Sequence, residues 1–413
     1  MTSKENESEN SHFIADQSEE VSQISNIDAN DLDEETIKKL RGDTIGDTLY
    51  SQSFILKTIL QFSDLKWDEE VEEHLCFLWD MTVEKDVCSF LLEISFPSLA
   101  TSAVLNYRDN QRFIEIVIGI LGNIFCSGCE NGMTSEEISS ILSWVDSDDH
   151  LILIQLMRFI SASLDTNKNL IALIDKDFIE KICFILKNSI NSDLLLKTLE
   201  CAAKLTVDFK MDESLIDYSL YESVLVSYQT LTRSDSHSFE PDTKEKLLTV
   251  RYLLEVITNI CSYIDRYKKN SLLLDIQKDS NIFTYELIKI LKFFSRKENM
   301  LPVTDEIIFF LSAIMYTYTN LKLSYIPEIF VSVTNILLII VDFKDEIEEL
   351  YQSVLELECY LISSTQYNNI KKDLRSVSRQ KVKKILNLVN ENYKKFESIV
   401  NVANVNEFIQ CCK

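Results

Sequence analysis

The side chains able to do chemistry in this chain are mostly carboxylates, amides and thiols, and their spacing decides which chemistry is open to them. Two asparagines close similar apolar runs: Ile114-Glu-Ile-Val-Ile-Gly-Ile-Leu-Gly-Asn123-Ile and Arg251-Tyr-Leu-Leu-Glu-Val-Ile-Thr-Asn259-Ile. Glu115 and Glu255 precede them by eight and four residues, close to the same helical faces. Where such helices line a groove, the amides hold the backbone of an extended peptide and the carboxylates select Lys or Arg. The same asparagines can instead satisfy backbone groups at a helix end. Asp80, inside Trp79-Asp80-Met81, adjoins the apolar stripe Cys76, Trp79, Val83. Its carboxylate can accept from N–H groups at a neighbouring helix start, or present both oxygens to a partner arginine. Trp79 itself reads as core.

Other constellations carry less. Cys126-Ser-Gly-Cys129 has a metal-ligand spacing, but no second ligand pair follows and none of His12, His74, His150 and His237 lies near it in sequence. Thiols that are buried or sit at helix ends are the better reading. Cys411-Cys412-Lys413 fails the prenylation pattern, which needs Cys four from the end. There is no HExxH, nucleophile elbow, GxGxxG or Walker loop. Gly119 and Gly122 have no lysine-bearing phosphate loop around them and read as packing positions where a neighbour comes close. No catalytic residue, cofactor or metal is expected.

These residues must be carried by helices. In 413 residues there are six Gly and four Pro, too few for the tight turns of a many-stranded sandwich, barrel or propeller. From about Thr44 onward apolar residues recur at helical spacing: Ile114 to Phe125, Leu151 to Leu164, Phe178 to Leu186, Leu194 to Val207, Leu247 to Ile264, Phe283 to Phe294, Ile307 to Tyr318, Ile326 to Val341 and Ile347 to Ile362. Breaks fall at Asn131-Gly132, Asp146 to Asp149, Ser234 to Pro241, Pro302 and Pro327, and Thr134 or Ser135 offers an N-cap ahead of Glu136-Glu137. Overlaying the runs aligns Asn123, Phe159, Lys204 and Asn259, in steps of 36, 45 and 55 residues. Armadillo and HEAT units have about 40–47 residues, and stacking buries faces too apolar to stand alone.

Charge points to the partner. Forty-one basic and sixty-six acidic side chains give −25, which disfavours nucleic acid and anionic membranes and favours basic partners. Residues 1–36 hold eleven acids and one Lys and read as a disordered acidic tail. The trend reverses at Lys371-Lys372, Arg375, Arg379, Lys381 and Lys383-Lys384, a basic face on a terminal helix or, as the lesser reading, a bipartite nuclear signal. No apolar secretory segment follows Met1, and the run Ile336 to Val341 is too short to span a bilayer.

Two blocks are more specific: Gly42-Asp-Thr-Ile-Gly-Asp-Thr-Leu-Tyr50-Ser, and Trp79-Asp80-Met81 with Asp86-Val87, Phe90-Leu91 and Gly119-Ile-Leu-Gly122-Asn123. In this order they resemble the serum amyloid A-like protein 1 (SAAL) family over roughly residues 41–126. The resemblance implies an armadillo-like helical protein of nucleus and cytoplasm, without known enzymatic activity and associated with promoting cell proliferation. Nuclear-import adaptors place Trp four residues before the Asn, where Gly119 and Glu255 stand here, so an import receptor is not expected.

The expectation is therefore an all-α, armadillo/HEAT-like α-solenoid. It has a tail over 1–40, the solenoid over 41–365 and a C-terminal helix with a basic face over 366–413. It is expected to be a non-enzymatic scaffold or adaptor holding a basic protein segment through Asp80, Glu115, Asn123, Glu255 and Asn259. The alternatives are an assembly chaperone shielding a basic client, and an enzyme with an unrecognised site.

Overall fold

The computed structural model describes residues 42–63, 65–128, 133–164, 166–207, 215–232, 239 and 243–412. The acidic stretch 1–40, Cys129, Asn131-Gly132 and most of Ser234 to Pro241 lie outside the described residues. Two compact units divide the chain, Met1–Lys66 and Trp67–Lys413, where composition placed boundaries after 40 and 365.

In the first unit the described residues are a tight loop leading into α1 (Gln52–Leu60). Gly42 and Gly46 take positive φ, 62° and 54°, which an L side chain resists. Between them Asp43 accepts from the Ser51 hydroxyl and from the Ser53 backbone N–H at 3.1 Å, closing the helix start, while Ile45 N–H donates to Tyr50 O at 2.9 Å. These hydroxyl bonds hold the Asp43 carboxyl below its ordinary pKa. The Gly-Asp-x-Ile-Gly motif is thus a capped turn.

The second unit holds twenty helices: α2 (Glu69–Met81), α3 (Lys85–Glu93), α4 (Phe96–Asn106), α5 (Gln111–Cys126), α6 (Ser135–Leu142), α7 (His150–Ser163), α8 (Lys168–Leu173), α9 (Lys176–Asn188), α10 (Ser192–Thr206), α11 (Tyr218–Leu231), α12 (Lys244–Tyr267), α13 (Asn270–Lys278), α14 (Asn281–Phe294), α15 (Lys297–Met300), α16 (Asp305–Asn320), α17 (Pro327–Ile340), α18 (Glu348–Ser363), α19 (Tyr367–Asp373), α20 (Arg379–Asn392) and α21 (Val402–Cys412). No strand occurs among the described residues. Side-chain caps do the punctuating that Gly and Pro do elsewhere. Asp68, Asn110, Asp149, Asp175, Asn191, Asp217 and Thr304 each accept a backbone N–H at a helix start. Thr134 and Glu137 form a full capping box at α6. The break at Pro327 is a helix boundary: the proline opens α17 at its first position, where its missing N–H costs nothing.

The helices form an α-solenoid. One layer is a ladder in which each member packs on the next: α2, α5, α7, α10, α12, α16, α18. A second layer covers it, with α4 on α6, α9 on α11 and α14 on α17. Asn123, Phe159, Lys204 and Asn259 stand on α5, α7, α10 and α12, so the sequence overlay aligned four consecutive rungs. The core is densest at α5, where every residue from Phe113 to Gly122 is buried and Phe125 meets Phe159 edge to face at 5.1 Å. The 24-residue α12 is, by length and composition, apolar enough to cross a membrane, but its apolar face is buried against α10, α11 and α16. Where a single C-terminal helix was expected over 366–413, three occur, α19 to α21. Of the eight cysteines whose side chains are described, five are buried, and all eight are free thiols.

Candidate functional site

The expected site residues fall on three ladder helices, and the structure uses four of the five internally. Glu115, only 5% exposed, accepts from Arg112 Nη1 at 2.7 Å; Arg112 also reaches Glu72 at 2.9 Å and the Cys76 sulfur at 3.4 Å, tying α5 to α2. Burial opposes the guanidinium charge, but hydrogen bonds to Glu115 and Glu72 outweigh it and raise the Arg112 pKa. Glu255 pairs with Arg251 at 3.0 Å, one turn earlier on α12, and Arg251 lies over the Phe309 ring of α16 at 5.1 Å. Both glutamates expected to select a basic peptide are therefore neutralised by an arginine of their own helix.

The asparagines share a role. Asn123 Nδ2 donates to the Thr82 hydroxyl at 2.9 Å, and its Oδ1 accepts from Arg158 of α7 at 3.1 Å. Asn259 Nδ2 donates to the Thr206 hydroxyl at 3.1 Å and to Ala203 O at 3.4 Å. Thr82 and Thr206 each end a preceding ladder helix and turn their hydroxyls onto its last carbonyls. Each asparagine is thus a rung-to-rung clamp on a helix C-terminus. Of the two readings open to them in the sequence, the geometry supports the helix-end one.

Asp80 is different. It is exposed, and its carboxylate has no hydrogen bond or ion pair among the described residues, so it does not clamp a neighbouring helix start. Glu70, Glu73, Phe77 and Asp80 follow one another at three- and four-residue spacing along α2, opposite its buried Val71, Leu75 and Leu78. Phe77 is 50% exposed; Val83, 79% exposed, and Glu84 continue the surface just past the helix. None of these four carboxylates is paired among the described residues. The arrangement is an apolar ring framed by free acids, open to a cationic, amphipathic segment. Glu70, Glu73, Phe77 and Glu84 are absent from the sequence reading although their spacing is legible there, and Val83, read there as part of an apolar stripe with Cys76 and Trp79, stands exposed on this surface instead.

No family model matches the chain. The protein named Protein saal1 from Danio rerio is 29% identical over 210 residues, covering 45% of this chain and 43% of that protein. Protein SAAL1 from Homo sapiens is 30% identical over 201 residues, covering 42% of this chain and 41% of that protein. Over this stretch the chain is similar to proteins of the SAAL family. The similarity spans about two-fifths of the length of these SAAL relatives. Among solved structures, two crystal structures of engineered proteins are similar, with TM-scores of 0.42 and 0.46 and identities of 12% and 11%. They cover 64% and 85% of this chain, and 95% and 77% of their own.

Trp79 of α2 and Gly119 of α5, from the blocks that resemble the SAAL family, meet at the α2–α5 joint. The Trp79 indole lies where a side chain on Gly119 would stand, and Val87 and Leu91 are fully buried beneath. Gly122 has more room: a Cβ there would meet the Phe159 backbone at 3.6 Å, ordinary contact. Gly119→Val is expected to displace Trp79 and lower stability by about 2–3 kcal/mol, through overpacking, while Gly122→Ala stays within about 1 kcal/mol of wild type. Chemical denaturation of the two variants checks this; equal losses would show that the indole is not what requires Gly119.

Proposed function

We propose that this chain is a non-enzymatic scaffold or adaptor that captures a basic, amphipathic segment of a partner protein on the outward stripe of α2. The observation that carries the reading is the set of four unpaired carboxylates around half-exposed Phe77. Charged groups at the rim of such a surface set partner choice and encounter rate, and the aromatic supplies the anchor. The net charge of −25 favours the same sign of partner. The expected sign of the partner is kept, and the surface moves from the ladder face, where Glu115 and Glu255 are neutralised, to the outer side of α2. The proliferative role implied by the family resemblance would run through the captured partner, in nucleus or cytoplasm.

Affinity purification with mass spectrometry tests this, using wild type, Glu73→Lys/Asp80→Lys and Glu255→Lys, each checked for unchanged helicity. The α2 double variant is expected to lose a basic partner that the Glu255 variant retains. Recovery of the same proteins by all three would overturn the assignment of α2.

A further inference from the structure

The far end of the ladder carries a surface of opposite sign. α17 leaves one stripe uncovered, Glu328, Val331, Asn335 and Leu338, again at three- and four-residue spacing. At a rise of 1.5 Å per residue it is about 15 Å long. Two open hollows adjoin it, of about 560 Å³ and about 460 Å³. The first lies between the start of α17, the end of α14 and the end of α19, and is lined by Lys292, Lys372 and Arg375. The second lies between Leu338 and α20 and is lined by Lys381, Lys383 and Lys384.

The electrostatics of this groove are unlike those of the rest of the chain. Lys384 is held by Asp342 at 2.9 Å. Lys292, Lys372, Arg375, Lys381 and Lys383 have no ion pair among the described residues. Of the acids at the rim, Asp373 accepts the Tyr325 hydroxyl at 2.6 Å, leaving Glu328 as the free one. In a protein of net charge −25, five unpaired cations on one short groove are a local inversion. The floor is mixed: Val331 and Leu338 are apolar, Ser332 is satisfied by Glu328 O at 2.8 Å, and the Asn335 amide has no partner among the described residues. That amide is free to pair with a peptide backbone, as Asn123 and Asn259 are not.

We infer that this groove binds an acidic, extended segment of a partner protein. Carboxylates meet Lys292, Lys372 and Arg375 at one end and Lys381 and Lys383 at the other, apolar side chains rest on Val331 and Leu338, and the Asn335 amide takes the backbone between them. Two cationic ends joined by a floor that carries Val331 and Leu338 match an alternating acidic and apolar peptide better than a nucleic acid, which the protein's overall field repels. The inference stands apart from the α2 proposal, since it uses other residues and the opposite charge.

The test is fluorescence anisotropy on the full chain with a fluorescein-labelled peptide alternating Glu and Leu. Saturable, salt-sensitive binding is expected. Lys372→Glu/Lys383→Glu should weaken it at least ten-fold, and Asn335→Ala several-fold. Lys176→Glu/Lys278→Glu changes the net charge equally, on remote helices, and should stay within two-fold of wild type. Glu73→Lys/Asp80→Lys should not weaken it, so failure here and failure of the α2 proposal remain distinguishable. No binding, equal loss in the groove and remote lysine variants, or displacement of the peptide by single-stranded DNA at equal concentration would each overturn the inference.

Discussion

At pH 8, Glu358→Gln unfolds at a higher temperature than wild type, and at pH 5 the two nearly coincide. Glu358 lies on α18 with no solvent exposure; one oxygen accepts the Thr334 hydroxyl of α17 at 2.8 Å, and Oε2 has no partner among the described residues. Burial pushes its carboxyl up to about 8, with the Thr334 hydrogen bond pulling the other way. The folded chain therefore keeps a proton that the unfolded chain releases near pH 4.3. The stabilisation is complete below that pH and is lost as pH rises through 8, at about 1.4 kcal/mol per pH unit. The amide carries no charge at either pH, so its advantage at pH 8 is on the order of 4–5 kcal/mol. Self-repulsion among the other acids acts on both proteins, so the difference between their pH curves is the measurement. A difference that does not change with pH would mean that Glu358 is ionised and accommodated in the fold.

The second large effect concerns Arg112. Arg112→Met leaves the buried Glu115 carboxylate without a counter-charge and is expected to cost about 3 kcal/mol. The Arg112→Met/Glu115→Gln double variant should recover most of that loss, since the pair is then replaced by neutral groups. Urea denaturation of the four proteins of the cycle gives the coupling directly. Additive losses would show that the two side chains do not act on one another, and that Glu115 is held for another reason.

Much of the fold was legible because the apolar runs are long and caps replace missing glycines. The runs at Leu151, Phe178, Leu194, Leu247, Phe283, Ile307, Ile326 and Ile347 match α7, α9, α10, α12, α14, α16, α17 and α18 to within a few residues. The C-terminal region resisted, because α19 and α20 are rich in Lys and polar residues and bury only a few apolar groups such as Ile370, Ile385 and Leu386. The surface proposed on α2 was legible only as an expected charge sign. Spacing along a helix shows that Glu115 and Asn123 share a face; it does not show that Arg112 reaches back from the same helix, or that Thr82 waits on the neighbouring one. Paired and unpaired carboxylates look alike in sequence. Asp80 and Glu115 were equal candidates there, and only three-dimensional packing separates them.

The ladder also has a consequence for how the chain is made. α5 packs on α2 and α7 on α5, so each rung finds a packing partner in the rung synthesised before it. Structure can therefore accumulate in the order in which the chain leaves the ribosome, without waiting for distant segments to meet. The rung with the longest continuous buried stretch, α5, is among the first to emerge. A nascent chain halted after α7 would already hold the pair of helices on which the later rungs are laid.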